Sequence, residues 1–157
     1  MSPRAAPAPP TATSVEHAYR QHRDRLVGLA FLLCGSREVA EEAVHDVFAQ
    51  AHARWASIDD PAGYLTRAVT YRIRDEHRRR YRRQQLDVPA EASTGIPEVD
   101  ETWRHVCDLP EAQRAVVVLR YYADLPLDVI ARLLDRPTST VRSDHRRALD
   151  RLRRTVP

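Results

Sequence analysis

Arg67, Thr70, Tyr71, Arg74, His77, Arg78 and Tyr81 recur at helical spacing within one 15-residue stretch. At 3.6 residues per turn they fall on a single arc of one helix. Guanidinium groups bind phosphates in a bidentate fork, and tyrosine rings stack on unpaired bases. Cations interleaved with rings along one edge therefore suit a long anionic partner with exposed bases, single-stranded or melting nucleic acid.

The element that must position this stripe is predicted over residues 60–83. Asp60 is a good N-cap and Pro61 a good first helical residue. Tyr64, Leu65, Ala68, Val69 and Ile73 share the opposite, apolar face, which should pack. At 1.5 Å per residue the helix is about 35 Å long. The plainer alternative for the stripe is a solvated face whose arginines serve solubility.

A second candidate lies near the C-terminus. A short helix at 127–134, a break at Asp135-Arg136-Pro137 and a longer helix at 138–154 have helix-turn-helix spacing. Thr138 is read as the cap of the second helix, with Val141, His145, Ala148, Leu149 and Leu152 inward. Thr138, Ser139 and Thr140 place hydroxyls at its N-terminus, and Arg142, Ser143, Arg146 and Arg147 extend the outward arc. Hydroxyls and free amides there can grip phosphate, while arginine reads guanine in a major groove. Asp144 borders the packed face. It either accepts a hydrogen bond from cytosine or turns inward to pair with an arginine such as Arg147 or Arg132, the second reading being slightly preferred.

Catalytic and metal chemistry find no support, and no cofactor is implied. His45 and His52 share a face but stand seven residues apart, about 10.5 Å along a helix, too far for one zinc. There is no Gly-rich phosphate loop. Cys34 and Cys107 are far apart with no metal-ligand spacing, and read as small core residues. No apolar run is long enough to span a membrane and no signal peptide is seen, which predicts a cytoplasmic protein without membrane insertion.

All 25 basic residues are arginine. Since lysine is absent from every surface, arginine abundance reflects composition, and only arginine placement is informative. Arg67 to Arg83 holds eight arginines and two acids, whereas Gln84 to Thr102 holds five acids and no base. The 1–13 segment is Pro- and Ala-rich and reads as a disordered tail. Residues 14–83 read as one small helical domain, 84–98 as a flexible acidic linker and 99–157 as a second helical domain. The fold class expected is all-α, two domains folding independently. Within the first, 37–55 is amphipathic: Val39, Ala40, Ala43, Val44, Val47, Phe48, Ala51 and Trp55 oppose Glu38, Glu41, Glu42, His45 and His52, with Asp46 at the border.

Four segments carry a family resemblance: AEEAVHDVF (40–48), GYLTRAVTYRIRDEHRRR (63–80), LPEAQRAVVVLRYYADLP (109–126) and STVRSDHRRAL (139–149). In order and spacing they resemble a bacterial RNA polymerase sigma factor of the compact extracytoplasmic-function (group four) type, which keeps regions two and four only. The resemblance implies that region two, here 14–83, binds the clamp helices of the largest polymerase subunit and melts the minus-ten element. It implies that region four binds the flap of the second-largest subunit and reads the minus-thirty-five element, while the acidic linker threads toward the RNA exit channel. Glu41, Glu42, His45 and Asp46 then become the polymerase contact, and an anti-sigma factor a further partner. The chain departs from the family's usual residues at Tyr64, Tyr71, Val129, Ser139 and Asp144. The alternative from the same residues is a helix-turn-helix regulator that acts without polymerase.

Overall fold

The structure, a computed structural model, describes residues 14–84 and 99–155; the side chains of 81–84 and of residue 101 are outside the description. The expected disordered tail at 1–13, the linker at 85–98 and the Tyr81 ring lie outside the described residues. Among the described residues every regular element is helical, as the sequence predicts.

Local signals set the helix ends. In α1 (Val15–Cys34), Ser14 Oγ accepts from the His17 amide at 3.2 Å, and Gly35 closes the helix at φ 73, its amide donating to the Phe31 carbonyl at 2.7 Å. That left-handed conformation is why glycine sits there. Ser36 Oγ then accepts from the Val39 amide and starts α2 (Arg37–His52). A short 3-10 turn at Trp55–Ser57 leads to α3 (Pro61–Gln84), where Asp60 Oδ1 accepts from the Gly63 amide at 3.2 Å. A side chain at 63 would collide with that carboxylate.

These three helices form one group. Leu26, Leu29, Leu32, Val44, Leu65 and Val69 are fully buried among them, so the apolar arcs of α2 and α3 face α1 as their periodicity requires. The second group comprises α4 (Glu101–Cys107), α5 (Glu111–Val117), α6 (Leu127–Leu134) and α7 (Thr138–Thr155). Asp100 caps α4. A π-helical turn at Val118–Tyr122 prolongs α5. The α7 helix begins at Thr138 itself, so the cap position falls on Pro137, whose carbonyl accepts from the Val141 amide. The predicted cap is thus displaced by one residue.

The two groups lie against each other. Val116, Val117, Val118 and Leu119 are all buried, because α1 covers one side of this stretch and α7 the other. Polar contacts cross the same boundary. Tyr122 Oη donates to the Arg25 carbonyl at 3.2 Å, and Arg114 spans the Cys107 and Leu33 carbonyls, 3.3 Å to each. The linker was read as a tether between separate domains; here the domains share a buried face.

Candidate nucleic-acid interface

The cationic stripe of α3 divides along its length. Arg67, Tyr71 and Arg78 are exposed, Tyr71 to 47% as a residue. The other edge faces the second group. Arg74 Nη1 donates to the Leu133 carbonyl at 2.7 Å, and His77 Nδ1 lies 2.6 Å from Glu111 Oε1. At about 100° per residue, Tyr71 and His77 sit roughly 120° apart, so one edge can be open while the other is covered. Glu111 is held below the ordinary carboxylate range, chiefly by its hydrogen bond with His77.

Thr70, expected on the stripe, is buried in this structure. It is 1% exposed and its hydroxyl donates to the Thr66 carbonyl one turn earlier, at 2.8 Å. Threonine inside a helix closes this bond on its own backbone. The Thr70 hydroxyl proton is thus spent within α3, and Thr70, with Ile73, borders the space between α3 and the second group, away from the exposed edge.

On α2 the expected polymerase contacts differ in their engagement. Glu42 and His45 are exposed and make no polar contact among the described residues. Glu41 pairs with Arg37 at 3.1 Å. Asp46 pairs with Arg72 of α3 at 3.1 Å, and Arg72 also reaches Glu76 at 3.5 Å. Arg72 was missed by sequence reasoning; it ties α2 to α3 and so fixes the stripe relative to the acidic face.

The helix-turn-helix presents the expected outward arc. Ser139, Thr140, Arg142, Arg146 and Arg147 are exposed, with Thr138 and Ser143 half-buried. None of Arg142, Arg146 and Arg147 has a carboxylate partner among the described residues, which leaves three full guanidinium forks for an anion. His145, placed inward by periodicity, is half-buried at the edge of this arc, stacked on Tyr121 with the phenol oxygen 2.8 Å from Nε2. Burial, and then the Arg120 charge, lower its pKa.

Asp144 turns inward, the preferred of the two readings, but its partner is neither Arg147 nor Arg132. It is 9% exposed and pairs with Arg136 Nη1 at 2.9 Å, while Arg132 stands 3.8 Å from Asp128. Arg136 belongs to the turn, whose Asp135 adopts φ 52, and its amide donates to the Ala131 carbonyl. The Asp144–Arg136 pair therefore pins the turn to α7 and sets the angle at which α7 projects.

Among the described residues no cluster of His, Cys, Asp or Glu could hold a metal ion, and no helix is long and apolar enough to cross a membrane. Burial raises the thiol pKa of Cys34, and likewise that of Cys107.

Two family models match, Sigma-70 region 2 over residues 18–83 and Sigma-70, region 4 over 108–154. A probable ECF RNA polymerase sigma factor SigI of Mycobacterium tuberculosis is 32% identical over 153 residues, covering 85% of this chain and 52% of its own. The chain thus spans about half the length of that relative. The RNA polymerase sigma-E factor of Streptomyces coelicolor is 31% identical over 149 residues, covering 88% of this chain and 83% of its own. The sigma factor RpoE of Bartonella quintana, solved in complex with the anti-sigma factor NepR, has the same fold with a TM-score of 0.66 at 19% identity; 88% of this chain and 94% of that one align. The α1–α3 group is therefore region 2, the α4–α7 group contains region 4, and the chain belongs to the extracytoplasmic-function family of RNA polymerase sigma factors.

Proposed function

We propose that the chain is a transcription initiation factor that joins core RNA polymerase, directs it to promoters and assists their melting, without a catalytic step of its own. The observation that carries this is the pair of separate cationic faces, one on each region. The α7 face has three arginines without a carboxylate partner among the described residues, suited to phosphates and base edges of duplex DNA. The open edge of α3 offers Arg67, Tyr71 and Arg78 to an unpaired strand. Glu42 and His45, with Glu41 and Asp46 beside them, supply the polymerase-facing surface on α2. On this reading the largest-subunit clamp helices take region 2, the second-largest-subunit flap takes region 4, and the factor works in the cytoplasm. An anti-sigma factor is a further partner to test.

Arg74 and His77 are covered by region 4 in this structure. Their engagement with a melted strand requires the two regions to part.

The deciding experiment is transcription by purified core polymerase on a library of genomic fragments, with start sites read by sequencing. The chain should add a defined set of starts. If it adds none to those of core alone, the reading fails. DNA protection by the chain without core, together with no retention of core in a pull-down, would instead favour a polymerase-independent regulator.

A further inference from the structure

A cavity of about 440 Å³ lies where α3 meets region 4. That volume is in the range of small-molecule sites. Leu33, Ile73, Ala115 and Leu134 give it an apolar wall, and Arg74, Arg78 and Arg136 bring three guanidinium groups to it. Its one lining carboxylate, Glu111, is already taken by His77 at 2.6 Å. The excess charge of the lining is positive.

The cations are under-committed. Arg74 is half-buried, and its sole polar contact among the described residues is one N–H to the Leu133 carbonyl at 2.7 Å. The rest of its five-donor fork has no acceptor there. Arg78 has its nearest carboxylate, Asp75, at 4.0 Å, and Arg136 commits Nη1 to Asp144. The remaining N–H groups of Arg74 are not buried, so in the docked chain they are open to an incoming anion.

We infer that this cavity binds a small anion with an apolar body: a carboxylate, phosphate or sulfonate head on an aryl or acyl group. The head would take the Arg74 fork, with Arg78 and Arg136 at its flanks. The body would lie on Leu33, Ile73 and Leu134. A bare inorganic anion leaves that wall wet, and a neutral apolar molecule leaves Arg74 unpaired. The walls come from both regions, so an occupant stabilises the docked arrangement by mass action. It also occupies arginines of the α3 stripe, and that consequence alone rests on the sigma-factor reading.

The test is calorimetric titration of the full chain with 1-naphthyl phosphate, in the absence of polymerase and DNA. One saturable site is expected, with inorganic phosphate and 1-naphthol each at least about tenfold weaker, the scale of one lost charge-assisted contact. Arg74→Gln should weaken binding by about tenfold or more. Arg132→Gln, outside the cavity, should leave binding unchanged. Ala112→Trp blocks the cavity while keeping every cation, and should abolish binding even if Arg74→Gln misfolds. At about a hundredfold excess over Kd, 1-naphthyl phosphate should raise Tm. Undiminished binding by a folded Arg74→Gln or Ala112→Trp protein, equal affinity for inorganic phosphate, or no rise in Tm would overturn the inference. Because these measurements contain no transcription components, their failure leaves the sigma-factor reading intact, and failed transcription leaves this site intact.

Discussion

The Asp144–Arg136 pair gives the sharpest mutational test of how region 4 is built. Replacing Asp144 with Ala removes a largely buried carboxylate and leaves the half-buried Arg136 guanidinium without its partner 2.9 Å away. Breaking a fully buried pair costs about 3–5 kcal/mol, and an exposed pair at most about 1 kcal/mol. With side chains 13% and 25% exposed, this pair lies between those limits, so about 2 kcal/mol is expected. For a chain of this length each kcal/mol lowers Tm by roughly 2–4 °C, which predicts a fall of about 4–8 °C. Asp144→Asn keeps an acceptor and loses only the charge, so it should recover part of the loss. The assay is thermal unfolding followed by circular dichroism at neutral pH, paired with promoter selection on the same variants. Base preference should not change, because the carboxylate faces the turn. An unchanged Tm for Asp144→Ala would refute the argument. A change at one base pair with unchanged Tm would mean that the carboxylate reads DNA.

Tyr71→Ala should remove about 1–3 kcal/mol of base stacking, seen as impaired open-complex formation by permanganate footprinting with core binding unaltered; normal melting would make the ring structural. Limited proteolysis should cut first within 84–98 and leave two resistant fragments, one for each region, and a single resistant fragment spanning that segment would count against two domains. Glu111 is held below the ordinary carboxylate range by His77, so its contribution to docking is full above that range. That contribution disappears as pH falls through the depressed value, so scattering should show the parent's docking weakening on acidification toward the level of Glu111→Gln, whose docking lacks this dependence. Burial and the Arg120 charge lower the His145 pKa, so the folded chain favours the neutral ring, and acidification below the ordinary histidine range should destabilise region 4 less in His145→Gln than in the parent chain.

Much of this structure follows from short-range rules. Ser14, Ser36, Asp60 and Asp100 all cap helices through their own oxygens, and Gly35 takes the conformation only glycine adopts freely. The inward sets on α2 and α3 follow from period alone. Periodicity names the face that is buried but not what buries it. The docking of the regions was therefore hidden, although four consecutive apolar residues at 116–119 implied a helix covered on more than one side. The wheel put Thr70 on the stripe because its angle borders Arg74; it took no account of the second region. The partner of Asp144 escaped for a related reason. Helical spacing points to residues on the same helix, whereas Arg136 sits in the turn and is brought round by Asp135 at positive φ.

The contact between regions is strong enough to form and weak enough to lose. Among the described residues, hydrogen bonds from Arg74, His77, Arg114 and Tyr122 cross it, each worth about 0.5–1.5 kcal/mol at ordinary net values. Arg25 Nη2, Gln113 Oε1 and Arg114 Nε are buried without a partner among the described residues, and each such group subtracts from the stability of the arrangement. Docking also draws on the apolar contact between α1 and the 116–122 stretch. Moving such an equilibrium from one part open in a hundred to nearly all open takes about 5.5 kcal/mol of differential affinity. A partner that holds region 2 and region 4 at separate places can supply that, because it binds the parted form alone. An anion in the cavity between the regions would work in the opposite direction and raise the requirement by its own binding free energy. Arg74 thus stands where a melted strand and a small anion would compete, and the docked arrangement decides which reaches it first.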